Sequence, residues 1–109
     1  MMAHYLVQAS YNRQAMADLV RIPEDRSVPV RAVVENLGGS LEAFYYAFGD
    51  YDVVAIIELP DNVSMAALSM AVGAGGALVT FRTTVLLTMD EAVNAMRRAG
   101  TVGYRPPGG

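Results

Sequence analysis

Apolar and polar positions recur with two different periods along this chain, and each change of period marks the end of one element and the start of another. Ala3–Ala9, with Tyr5, Leu6 and Val7, reads as a first strand. Asn12 then caps a helix over Arg13–Arg21, whose Met16, Leu19 and Val20 recur every three to four residues. Pro23 interrupts that helix, because proline lacks the donor a helix interior needs. A second helical piece opens near Ser27–Pro29, where proline is tolerated in a first turn. It carries Val30, Val33, Val34 and Leu37 and stops at Gly38-Gly39.

Leu41–Phe48 and Asp52–Leu59 are strands rich in Phe, Tyr, Val and Ile, joined through Gly49-Asp50-Tyr51. Glycine at the head of a two-residue loop suits a type II′ turn, so the two strands are expected to pair antiparallel. Pro60-Asp61 ends the second of them and caps a helix over roughly Asn62–Val72. Ala77–Leu87 is a long last strand, and a final helix follows with Thr88 and Glu91 as a capping box. Asp90 and Glu91 lie at its positive end, Arg97-Arg98 at its negative end, and Gly100 stops it.

The order β-α-β-β-α-β predicts an α+β, ferredoxin-like domain: a four-stranded antiparallel sheet with helices on one face, plus an extra C-terminal helix. The same elements in another strand order would give a different α+β sandwich. Residues 1–100 are expected to form one domain and 101–109, containing Tyr104-Arg105-Pro106-Pro107, an extended tail.

Alternation assigns the two faces of that sheet. One parity, Tyr5, Val7, Ala9, Val53, Ala55, Ile57, Leu59, Ala77, Val79, Phe81 and Val85, is continuously apolar and suits the helices. The other mixes Leu6, Leu78, Val54, Ile56 and Leu86 with His4, Gln8, Glu58 and Arg82. Leu41–Phe48 is ambiguous, with Tyr45 on one face and Phe44, Tyr46 and Phe48 on the other. The mixed face would leave a monomer with a contiguous apolar patch, which usually marks an interface. The 62–72 helix points the same way, since only Ser64 and Ser69 supply it with a polar stripe.

Composition sharpens this picture. With 53% hydrophobic and 17% charged residues, the chain is apolar for so small a domain, and a second copy is the simplest cover for the excess. A membrane is the other cover to test. Asn62–Phe81 has no charge, but Gly73, Gly75 and Gly76 break it into a helix, a turn and a strand. No membrane partner is expected. The first residues lack the basic and apolar regions of a signal peptide, and a cytoplasmic location is expected.

The chain has no Cys and no Lys, which removes thiolate, disulfide and Schiff-base chemistry. One His cannot build a multi-histidine metal site within one chain, and neither metal nor cofactor is expected. The net charge of −3 does not favour nucleic acid, and Val53–Glu58 has none of the basic and aromatic residues of RNA-binding sheets.

Candidate residues remain. Gly49, Asp50, Tyr51 and Asp52 put two carboxylates and a phenol on one turn, too few ligands for a closed metal site and consistent with turn chemistry. His4 is the one side chain with a neutral-range pKa, and its neighbours are tertiary. Arg82, the sole charge between Asp61 and Asp90, needs a carboxylate or an anion, and Glu58 and Glu42 are its expected partners. Tyr46 is a candidate for a ligand pocket or an interface, as is Glu58.

The string FYYAFGDYDVVAIIELPDN, with Tyr5–Tyr11, Leu37-Gly38-Gly39 and the closing TVGYRPP, resembles the GYD domain family of small bacterial and archaeal proteins. Gly49, Tyr51 and Asp52 stand for its Gly-Tyr-Asp signature, with Asp50 intervening. The resemblance implies a ferredoxin-like domain of the dimeric α/β-barrel type and no established reaction. The expectation is a self-associating domain that takes a small molecule. Two alternatives stay open: a small-molecule enzyme resembling dimeric α/β-barrel monooxygenases or isomerases, using His4, Tyr46, Arg82 or Asp52, and an accessory subunit of a larger complex.

Overall fold

The computed structural model describes residues 2–109. Its elements run β1 (Ala3–Tyr11), α1 (Arg13–Arg21), α2 (Ser27–Asn36), β2 (Ser40–Tyr46), β3 (Val53–Leu59), α3 (Asn62–Ala74), β4 (Leu78–Leu86) and α4 (Met89–Ala99). The strands form one antiparallel sheet in the order β2-β3-β1-β4, the ferredoxin-like arrangement. Among the described residues, no helix is long and apolar enough to cross a membrane.

Local chemistry starts α1, α3 and α4 where the sequence places their caps, while β2 ends at Tyr46 rather than Phe48 and α3 runs on to Ala74. Asn12 Oδ1 accepts from the Ala15 N–H at 2.9 Å, and Asp61 Oδ1 accepts from the Ser64 N–H at 2.9 Å. Glu91 N–H donates to Thr88 Oγ1 while Thr88 N–H donates to Glu91 Oε1, which completes the capping box of α4. Gly38 and Gly39 end α2 together. Gly38 adopts φ 85°, the left-handed region that glycine enters without steric cost, and its N–H reaches the Glu35 carbonyl. The Gly39 N–H reaches Val34 O at 3.0 Å, so the last carbonyls of α2 are satisfied and the chain turns directly into β2.

The core lies between one face of the sheet and the helices. Tyr5, Ala55, Ile57, Leu59, Val34, Met65 and Leu68 are buried, Val34 from α2 and the last two from α3. Tyr5 carries its hydroxyl through this core to Asn62, donating to Oδ1 at 2.6 Å. Burial pushes the Tyr5 phenol above its usual range, with the Asp61 carboxylate adding to the effect. By contrast, α4 has no buried residue, and Met89 and Met96 on it are 73% and 65% exposed. The chain is elongated, with extents of 58 × 34 × 22 Å and a radius of gyration of 17.4 Å, against about 13 Å for a compact domain of this length.

Two β-bulges alter the face assignments made from strict alternation. The register of β1 with β4 shifts between Ser10 and Tyr11, so Phe81 pairs with Ala9 while Leu78 pairs with Tyr11. Leu78 and Phe81 therefore both face the helices, and Val79, expected in the core, is 72% exposed. Val85 does lie beside Tyr5, but it stays 57% exposed. In β2 the shift falls at Glu42, between Leu41 opposite Ile57 and Ala43 opposite Ile56. This resolves the ambiguous strand: Leu41, Phe44 and Tyr46 share the helix side, and Ala43 and Tyr45 share the open face. An extra residue reverses the parity beyond it.

The β2–β3 connection is also a correction. It is a six-residue loop, Ala47–Asp52, closed by Ala47 N–H to Asp52 O at 2.7 Å. Gly49 is not among the positive-φ glycines, so it cannot be the first central residue of a type II′ turn. The strands pair antiparallel as expected, but a longer loop joins them.

Candidate functional site

Three places gather chemistry-bearing side chains. The first is a cleft of about 320 Å³ between the sheet and helices α2 and α3, walled by Val7, Ala55, Val30, Val33, Leu68, Val72 and Phe81. Small side chains on the sheet, Ala9 and Ala55, leave the room that the surrounding larger residues enclose. It meets a second cleft of about 460 Å³ under α1, lined by Met16, Leu19, Pro23 and Tyr46. Tyr11, Arg26, Phe44 and Val53 border both, so the junction carries a phenol and a guanidinium above an apolar floor. Burial raises the Tyr11 phenol above its usual value, an effect the adjacent Arg26 guanidinium partly offsets. Arg26 is also paired with Glu24 at 2.8 Å. Size and lining suit a small, largely apolar molecule with a polar end at Tyr11 and Arg26.

The second place is the signature loop. Asp52 Oδ2 accepts from the Tyr11 N–H at 3.0 Å, and the Asp52 N–H donates to Ala9 O at 2.9 Å. Ser10 Oγ donates to the Asp50 carbonyl at 3.3 Å. Asp52 thus ties the loop to the end of β1 beside the bulge, a structural use of its carboxylate. Gly49 and Asp50 are exposed, and Tyr51 is half-buried.

The third is the open face of the sheet. Its rows run Leu86–His4–Glu58–Ser40, then Thr84–Leu6–Ile56–Ala43, then Arg82–Gln8–Val54–Tyr45. The bulge at Glu42 brings that carboxylate to the first row, where Glu42 Oε1 lies 3.5 Å from His4 Nδ1. Contact with Glu58, then burial, raises the Glu42 carboxyl above the ordinary glutamate value. Arg82 stands at the other end, opposite Gln8 and four residues along β1 from His4. It makes no ion pair among the described residues, and its expected partners Glu42 and Glu58 belong to the His4 row instead.

Of the residues singled out from sequence, the structure joins His4 with Glu58, places Tyr46 at the cleft, and separates Arg82 from both. Sequence spacing alone does not mark Tyr11, Arg26 or Glu42 as members of these sites. Tyr11 and Arg26 are fifteen positions apart and meet only when α1 folds back. Glu42, expected from sequence beside Arg82, is turned by the bulge toward His4 instead.

No curated protein matches the chain. The family model described as GYD domain does match it, over residues 5–96, a span that takes in β1 from Tyr5 onward, the other three strands, the signature loop and most of α4. The chain belongs to the GYD domain family.

Proposed function

We propose that the protein is a non-enzymatic domain that self-associates through the open face of its sheet and holds a small, mostly apolar molecule in the cleft. The observation that carries this reading is the band of Leu6, Ile56, Val54 and Ala43 across the middle of that face. Helices α2 and α3 pack on the opposite face, and a charged row at His4 and Glu58 and a cation at Arg82 frame the band. An apolar centre with a polar rim is the anatomy of an interface. Antiparallel strands can face water on one side, but then they normally alternate cleanly to polar residues there. The outer side of α3, with Val63 and Met70 78% and 73% exposed, adds a second apolar surface without charge.

The placement of candidate residues supports binding over catalysis. An enzyme working in the cleft would draw on His4, Arg82 or Asp52, yet the first two lie on the opposite face of the sheet. Asp52 is engaged with the Tyr11 amide. Of the four candidates His4, Tyr46, Arg82 and Asp52, Tyr46 alone reaches a cleft, the one under α1, where its hydroxyl meets Met16 Sδ at 3.6 Å.

Light scattering on the purified chain tests the pairing, with a dimer or larger assembly expected. Ile56→Glu should give a folded monomer, because a carboxylate in the middle of a dry interface is unpaired. A wild-type monomer at all concentrations overturns the pairing. Native mass spectrometry reads the cleft: a retained small molecule should be lost in Ala55→Phe, which fills the space. Retention unchanged in that variant places the ligand elsewhere.

A further inference from the structure

We infer that His4, Glu42 and Glu58 form a site for a divalent first-row transition ion of the Zn²⁺ class on the open face of the sheet. The three side chains come from three adjacent strands. His4 on β1 and Glu58 on β3 are direct register partners, and the β2 bulge turns Glu42 toward them. One donor atom from each lies within 4.8 Å of the others.

The His4–Glu42 edge of this triangle has the dimensions of a metal site. Bonds of about 2.0–2.1 Å at tetrahedral angles put ligand atoms about 3.3–3.4 Å apart. His4 Nδ1 and Glu42 Oε1 stand at 3.5 Å, and a carboxylate oxygen of Glu58 already lies within 4.8 Å of both residues' donor atoms. Donor type decides the ion. An imidazole nitrogen with two carboxylates does not match the all-oxygen shells of Mg²⁺ and Ca²⁺, and it suits Zn²⁺ and its neighbours. Three protein ligands leave a fourth position for water or a bound group, as in sites that polarise a ligand.

A reading of the sequence that weighs His4 alone finds no metal, because its two partners are 38 and 54 positions away and one depends on a bulge. The site lies on the other face of the sheet from the cleft. All three of its donors come from one chain.

Zn²⁺ titration of the chelator-treated full chain should show one ion per chain by calorimetry. His4→Ala and Glu42→Gln should each weaken it by about tenfold or more, while Glu35→Gln on α2 should not. Mg²⁺ should not compete. The chain has a single histidine, so its ring resonances report the site directly and should shift on Zn²⁺ addition to the unmodified protein. That measurement also serves if a variant fails to fold. Ring signals that stay in place at saturating Zn²⁺, or equal binding in folded His4→Ala, would mean an adventitious ion only and overturn the proposal.

Discussion

Ile56 and Ile57 are neighbours on β3 with the same side chain and the same backbone conformation, yet they belong to different environments. Ile57 points to the helices, is 2% exposed and packs with Tyr5, Leu41 and Leu68 in one core. Ile56 points the other way, beside Leu6 and Ala43, and is only half-buried. The helix side of the sheet is finished within the chain, whereas the open side is apolar in the middle and is not covered by α2 or α3. Hydrophobicity per residue does not separate the two faces. What separates them is whether the chain itself supplies a second layer.

Truncating both isoleucines tests that contrast with the largest expected effect. Ile57→Ala should cost about 2–5 kcal/mol in chemical denaturation, because it removes buried methyl groups and leaves a cavity. Ile56→Ala should cost about 1 kcal/mol at a protein concentration where the chain is monomeric, in keeping with partial burial. Equal costs would mean that the open face is as well packed as the core, and the comparison would fail.

A pair of glycines sharpens it further. A Cβ on Gly39 would collide with the Glu58 carbonyl oxygen and stand 2.7 Å from Leu59 Cδ2, so Gly39→Ala should destabilise by about 1–3 kcal/mol. Gly49 has open space around the same position and no left-handed φ, and Gly49→Ala should stay within about 0.5 kcal/mol in the same assay. A large loss at Gly49 would mean that the signature loop is packed more tightly than its geometry allows.

The smallest effect concerns the cap of α3. Hydrogen bonds from the Ser64 N–H and hydroxyl hold the Asp61 carboxyl below the ordinary aspartate range. Its stabilisation is therefore fully present above the unfolded value, about 4, and is lost as pH falls through the lower folded value. Asn also caps helices well but does not titrate. Asp61→Asn should flatten the acid limb of the stability curve slightly and leave stability at neutral pH nearly unchanged. A steeper acid limb in the variant would contradict this assignment.

The parts of the fold legible in the sequence were those governed by neighbours along the chain. Asn12, Asp61 and Thr88 cap helices through residues three positions on, so their roles follow from spacing alone. The glycine stop of α2 and the strand alternation of β3 are equally local. The β2–β3 loop differs from the expected two-residue turn because a loop is set by where the strands stop pairing, and Asp52 is held by Tyr11 forty-one positions away. Both bulges were invisible for a related reason: alternation continues in the sequence while the register slips, and only the partner strand reveals the extra residue.

The sequence by itself determined the order and type of the elements, the apolar identity of the core face and the membership of the GYD family. Those depend on short-range periodicity and on a local motif. Tertiary structure decided which side chains meet: Tyr11 with Arg26 at the cleft, His4 with Glu42 and Glu58 on the open face, and Arg82 apart from them. Such meetings depend on strand register, and a shift of one residue carries a side chain to the other face of the sheet.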